Sequence, residues 1–256
     1  MDPDISRAMD KFLRSKGVRI YKGTTLQAVE KKNKELEAKL STGETINVEK
    51  ILVAIGRVPK SREAGVELAG VDTDRKGFIL VDESYRTSNP RIYAAGDVIG
   101  PPLLAHKAMV ESVLIADAIM GKKITKLEPA SIPTTIFSGL EIATIGYSEE
   151  ELKSKGIKYK RIRMPLASLS AVAVKDGDLG FVKILVDKEA KNKIYGIQIV
   201  SPNASEVISS FIPIYLGRIQ LEEAAYYPYP HLTVSEAVRE FAEYLLGEPV
   251  HFFIKK

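Results

Sequence analysis

Residues 51–55, I-L-V-A-I, constrain the fold most, because five consecutive apolar residues leave no polar face for water. Such a strand is buried on both sides, as in a parallel sheet covered by helices. A helix is expected upstream. Ile5, Ala8, Met9, Phe12 and Leu13 recur at i, i+3, i+4, i+7 and i+8, Pro3 sits near the start, and Gly17 supplies a left-handed stop. Residues 18–21 are then expected as a short strand. A parallel sheet needs a strand on each side of a crossover helix, yet none precedes Pro3. The expectation is an incomplete α/β segment with unpaired edges and open apolar faces.

Other segments carry their own periodicities. Residues 26–31 and 36–40 alternate around Asn33 and predict an antiparallel pair, with Thr42-Gly43 turning the chain again. Beyond Gly56, a loop with Gly65, Gly70 and Gly77 leads to expected strands at 78–81 and 92–95. Pro101-Pro102 open a helix that ends near Gly121, with Leu104, Ala108, Val113, Leu114 and Ile119 expected inward. From Pro129 a self-contained unit is predicted. Strands at 135–137 and 142–145 lead to a capping box, Ser148 with Glu151, on a helix over 149–155. Strands at 182–186 and 193–200 pair around a turn at 188–192, and helices cover 204–216 and 234–246. The charged stretches 30–39 and 153–163 read as solvated faces, and His251 has no evident partner.

Composition excludes several classes. The 256 residues suffice for two compact units. The net charge of +4 is spread along the chain, with no basic block interleaved with aromatics, so nucleic acid is not an expected partner. No apolar run approaches the ~20 residues that span a bilayer, and the polar start M-D-P-D-I-S is unlike a signal peptide. A cytoplasmic protein is expected. With no cysteine, the chain forms no disulfide of its own.

Three constellations could carry chemistry. Residues 87–97, T-S-N-P-R-I-Y-A-A-G-D, read as a turn, a short strand and a Gly-Asp at the strand's carboxyl end, where open α/β sheets meet ligands. Gly96 lets a ligand approach the backbone, and Asp97 can accept from sugar or ribityl hydroxyls. Leu103, Leu104, Ala105 and His106 lie at a helix start, whose unpaired N–H groups favour negative charge. His231 precedes a helix in which Thr233 and Glu236 have capping-box spacing. A carboxylate there can fix the imidazole tautomer and make it a general base for a thiol. On spacing alone the pair serves equally well as a helix cap beside a surface histidine.

Taken in order, these motifs resemble the class I pyridine nucleotide-disulfide oxidoreductases, in particular the dihydrolipoamide dehydrogenases. Residues 87–97 resemble the family's second flavin motif, and 52–59 (L-V-A-I-G-R-V-P) the strand leaving its nicotinamide domain. Residues 103–108 (L-L-A-H-K-A) are similar to the helix start beside the flavin. Residues 132–151 resemble the opening of the dimerisation domain, and 231–237 (H-L-T-V-S-E-A) its closing catalytic motif. The resemblance implies FAD contacts at Gly96, Asp97, Leu103, Leu104, Ala105 and His106, and an NAD contact near Gly56. It makes His231 the base that takes a dithiol's proton and Glu236 the group that orients it. The family usually has proline where this chain has Leu232, and a second histidine where it has Tyr229. Mercuric reductases carry a terminal cysteine pair, whereas this chain ends H-F-F-I-K-K.

The family's glycine fingerprints and its C-x-x-x-x-C disulfide have no counterpart in these 256 residues. The implied architecture is a set of incomplete nucleotide-binding α/β segments followed by an α+β dimerisation domain, an antiparallel sheet with helices. Residues 1–56 would be a partial NAD-binding domain, 57–128 the C-terminal segment of a FAD-binding domain, and 129–256 the dimerisation domain. Residues from 129 onward are expected to fold independently and self-associate, and the first 128 to be unstable or rearranged alone. Implied partners are a second copy of the chain, an N-terminal chain bearing the FAD fingerprint and disulfide, and lipoyl domains of 2-oxoacid dehydrogenase complexes. Without that chain, no activity is expected.

Overall fold

The computed structural model describes residues 2–33, 35–174, 180–190 and 193–252. Helix α1 (Pro3–Ser15) begins as its residues require, with Pro3 in its first turn and the Asp2 carboxylate accepting from the Asp4 amide at 2.9 Å. Gly17 follows at φ 80°. Strands β1 (Leu26–Lys32), β2 (Glu35–Leu40) and β3 (Thr45–Val48) form an antiparallel meander, with Asn33 at φ 56° in its first turn. Sequence periodicity anticipated the first two of these strands and not β3.

The four strands expected at 18–21, 51–55, 78–81 and 92–95 do not form. Leu52 and Ile55 are 91% and 94% exposed. Segments 78–81 and 92–95 are held by the isolated bridges Thr73–Ile79 and Arg86–Tyr93 and by scattered backbone hydrogen bonds such as that from the Ile79 amide to the Val98 carbonyl (2.8 Å), around a small core of Val71, Ile79 and Ala94. A strand is stabilised by its neighbours' hydrogen bonds and side chains, and the described residues provide no neighbour to complete a parallel sheet. The same applies to α2 (Ala105–Ile119). Val113 and Ile119, expected inward, are exposed, and the residues the helix buries are Lys107 and Glu111.

The later sheet contains β4 (Thr134–Ile136), β5 (Ile142–Gly146), β6 (Tyr159–Pro165), β7 (Phe181–Asp187) and β8 (Ile194–Val200). All pairings are antiparallel, in the order β4-β5-β8-β7-β6. Between β5 and β6 lies α3 (Glu149–Ser154), with the anticipated Ser148–Glu151 capping box. Strand β6 overturns the reading of 153–163 as a wholly solvated face. Ile162 and Met164 are fully buried while Lys160, Arg161 and Arg163 are exposed, an alternation masked by the density of charge. The short helix α4 (Ser170–Val174) follows. Helices α5 (Ala204–Tyr215), α6 (Leu221–Tyr226) and α7 (Ala237–Leu246) cover one sheet face and enclose the main core, which includes Ile145, Ile184, Ile197, Phe211 and Phe241. Helices α4 and α6 were not anticipated, and the expected turn residues 191 and 192 lie outside the described residues.

The opposite sheet face receives α1. Cross-strand register sets Ile136, Ile142, Val200 and Phe181 in one row, and Ile5, Ala8, Met9 and Phe12 of α1 pack against it. The next row, Thr134–Thr144–Gln198–Lys183, is polar. Lys183 is fully buried, with Nζ 2.5 Å from Asp2, 2.9 Å from Asp4 and 2.9 Å from Glu149. Burial pushes the Asp4 and Glu149 carboxyls up, but hydrogen bonds and charge from Lys183, helped by Arg161, prevail and hold both below their ordinary values.

Removing the ammonium by Lys183→Met leaves those carboxylates uncompensated, and should cost about 3–5 kcal/mol in urea unfolding followed by far-UV circular dichroism. The pH dependence has a definite sign. Depressed folded-state carboxyls contribute stability that is present above their unfolded values of 3.8 and 4.5 and lost as pH falls through the lower folded values. The urea midpoint of the parent should therefore drop below pH 4.5, and that of Lys183→Met should drop less.

Candidate functional site

Gly96 and Asp97 begin a 3₁₀ turn, Gly96–Ile99, at the end of the 87–97 motif. Gly96 is buried at φ 77°, and a Cβ built there would stand 2.9 Å from the Ala108 Cβ of α2. Its peptide is clamped from α2. The Gly96 amide donates to Glu111 Oε2 at 2.7 Å, and Lys107 Nζ donates to the carbonyls of Gly96 (3.0 Å) and Gly100 (3.2 Å). Lys107 and Glu111 form a buried pair at 3.2 Å. Motif reading missed both residues. Their only signal was a Lys and a Glu four positions apart within a largely apolar helix.

The clamp leaves the Asp97 carboxylate at the surface, 3.9 Å from Arg57 Nε. The two residues border a cleft of about 420 Å³, lined also by Val58, Ser61, Phe78 and Leu103. Gly56, at φ 124°, immediately precedes Arg57 and is not itself part of the cleft wall. Leu104 is the residue before α2 and offers no side-chain cap, so the first amides of the helix keep their donors for a ligand. Ala105 and His106 open the helix, and His106 Nε2 lies 2.8 Å from the Pro133 carbonyl. A carbonyl only accepts, so that nitrogen carries a proton and is not available as a base.

His231 and Glu236 stand at the other candidate site. The loop after α6 delivers His231, and the 3₁₀ turn Val234–Glu236 leads into α7. His231 Nδ1 is 3.0 Å from Glu236 Oε1, and the Thr233 amide donates to Glu236 Oε2 at 3.2 Å. Burial pushes the Glu236 carboxyl up, but hydrogen bonds from His231, Thr233 and Leu232 outweigh it and hold it below the ordinary value. The carboxylate is thus the acceptor and Nδ1 the donor of this contact, which leaves Nε2 as the imidazole nitrogen that Glu236 does not engage. The His231 side chain is 71% exposed, so Nε2 is open to a reacting group. Leu232 adopts φ 67°, which a proline could not, so the loop differs in backbone from one carrying the family's usual residue. His251, expected without a partner, has one: its Nδ1 is 2.8 Å from Glu240 Oε1 on α7.

Residues 1–112 match the family described as pyridine nucleotide-disulphide oxidoreductase, and residues 132–242 match that family's dimerisation domain. The chain belongs to the pyridine nucleotide-disulphide oxidoreductase family. A dihydrolipoyl dehydrogenase of Geobacillus stearothermophilus is 34% identical over 258 residues, taking in 99% of this chain and 54% of the relative. A mercuric reductase of Staphylococcus aureus is 33% identical, taking in 93% of this chain and 44% of the relative. Among solved structures, LpdA from Mycobacterium tuberculosis superimposes with a TM-score of 0.87 at 25% identity, over 95% of this chain and 53% of that one. The flavoprotein disulfide reductase RclA from Escherichia coli shares the fold, with a TM-score of 0.85 at 20% identity. The chain spans about half the length of the curated relatives it matches. No described helix is long and apolar enough to cross a membrane.

The tight contact at Gly96 is testable. Gly96→Ala adds a methyl where φ is positive and Ala108 is already close, and should cost about 1–3 kcal/mol in chemical denaturation. Ala108→Gly in the same chain should recover part of that loss, because it removes the atom in the way.

Proposed function

We propose that this chain supplies the thiol base and part of the flavin-binding surface of a dihydrolipoamide dehydrogenase-like, FAD- and NAD-dependent dithiol–disulfide oxidoreductase. The observation that carries this reading is the His231–Glu236 dyad, with its carboxylate held ionised and its second imidazole nitrogen open. In this reading His231 Nε2 takes the proton of a substrate thiol as the sulfur attacks a disulfide, and Glu236 stabilises the imidazolium that results. One S–S bond breaks, one mixed disulfide forms, and the proton resides on His231. The attacked disulfide lies outside these 256 residues, which contain no cysteine.

A bound flavin would supply the electron relay between dithiol and nicotinamide. Asp97 would hold its ribityl hydroxyls, Gly96 would set Asp97 in place by packing closely on Ala108, and the uncapped amides of Ala105 and His106 would favour negative charge beside it. Gly56 would lie against the nicotinamide. Residues 129–256 would form the contact of a homodimer, and lipoyl domains would deliver the dithiol. A cytoplasmic site fits this chemistry.

The test joins this chain to the N-terminal region of a relative, on one polypeptide or in trans. The mixture should bind FAD, turn yellow and reduce NAD with dihydrolipoamide. His231→Gln should lower dithiol turnover by roughly 10²–10⁴-fold while flavin absorbance and reduction by NADH persist. Wild-type turnover in His231→Gln would remove the base assignment. A chain that dimerises but never gains flavin would favour a non-catalytic interaction module, the reading that the absence of cysteine also permits.

A further inference from the structure

We infer that the groove between α1 and the β6–β7 end of the later sheet binds a small amphipathic carboxylate, a compact apolar body bearing one carboxyl group. None of the residues lining it belongs to the flavin or thiol sites. The groove has a volume of about 620 Å³, within the roughly 300–1,000 Å³ of small-molecule sites. Its floor is the far end of the apolar row beneath α1. Val200 and Phe181 are paired in register, and Pro165 on β6 continues the row opposite Phe181. Ala8 and Phe12 of α1, with Leu140, supply the rest of its apolar lining.

The rim carries more positive charge than the chain matches. Arg7 and Lys11 reach it from α1, Lys16 from the residue that ends that helix, and Arg163 from β6. Asp4 is the one carboxylate among the described lining residues, and Lys183, Arg161 and Arg7 already engage it. Among the described residues, Lys11, Lys16 and Arg163 form no ion pair, and the last two stand over rings of the lining instead. Lys16 Nζ is 5.8 Å from the centre of the Phe12 ring, and the Arg163 guanidinium 4.1 Å from that of Phe181. Partial burial lowers the pKa of Arg163, and the charges of Arg161 and Arg7 add to that against the pull of Asp4. An anion beside this guanidinium would relieve all three effects.

Floor and rim together define the ligand. The cations select an anionic head, because a neutral or cationic one gains no charge attraction here. The hydrocarbon selects an organic anion over inorganic phosphate, whose hydration an apolar wall cannot replace. The planar guanidinium of Arg163 offers a carboxylate two parallel donors, a geometry that lysine lacks. The carboxyl group would sit at Arg163, Lys11 and Lys16 would add charge, and the apolar body would lie along Phe12, Leu140 and Phe181.

The experiment titrates the full chain with sodium octanoate, below micelle formation, by calorimetry at constant ionic strength. Octylammonium, 1-octanol and inorganic phosphate serve as comparators. Saturable one-to-one binding of octanoate is expected, at least about tenfold tighter than octanol or octylammonium, with no saturation by phosphate. Arg163→Gln, and Lys11→Gln combined with Lys16→Gln, alter exposed side chains, so far-UV circular dichroism should keep its native form. Each variant should weaken octanoate several-fold and leave octanol unchanged. Equal affinity for octanoate and octanol would make this a merely apolar groove and overturn the inference. So would saturation by phosphate, tighter binding of octylammonium, no saturable binding of octanoate, or unchanged octanoate affinity in both variants. None of these readouts involves flavin, thiol or His231, so the proposed oxidoreductase function stands or falls separately.

Discussion

The ammonium of Lys183, taken fully out of water, is the contact on which the arrangement of this chain depends. A buried lysine is tolerated only when its charge is matched and its three donors are used. Asp2, Asp4 and Glu149 do both, the first two from 181 and 179 positions away in the sequence. Through them the opening helix is seated on a sheet that forms more than a hundred residues later. The apolar row beside Lys183 adds area, but hydrophobic contact is non-directional. The ion cluster decides where α1 stops along the sheet.

Buried charge recurs at both candidate sites. Lys107 and Glu111 use a helix interior to grip the Gly96 peptide by its donor and its acceptor, which turns Asp97 outward beside Arg57. Glu236 is held by backbone amides so that it can in turn hold His231. In each case a buried group does no chemistry itself and sets the geometry of an exposed one. One helical turn beyond Glu236, Glu240 on α7 engages His251 and draws the C-terminal segment in, where Phe252 packs against Phe241 and Tyr244.

The exposed apolar surface follows from the same principles applied to an incomplete set of partners. Residues 51–55 and the outer side of α2, with Met109, Val113 and Ile119, have the composition of interior elements and face solvent. The chain spans about half the length of its curated relatives, and residues 51–55 and Met109 lie within residues 1–112, which match the pyridine nucleotide-disulphide oxidoreductase family.

The sequence by itself determined whatever depends on neighbours a few residues away. Helix α1 and its cap, the β1–β2 turn at Asn33, the Ser148–Glu151 box, the β7–β8 pair and the His231–Glu236 spacing were all legible, because their hydrogen bonds close within short loops. Only the tertiary structure decided which apolar runs became strands, since a strand such as 51–55 exists through partners that its own residues cannot specify. It also decided that the charges of β6 hide a buried face, that Lys107 and Glu111 are interior, and that Lys11, Lys16 and Arg163 border one groove. Those outcomes turn on long-range register and on the cost of burying charge, neither of which is written in local periodicity.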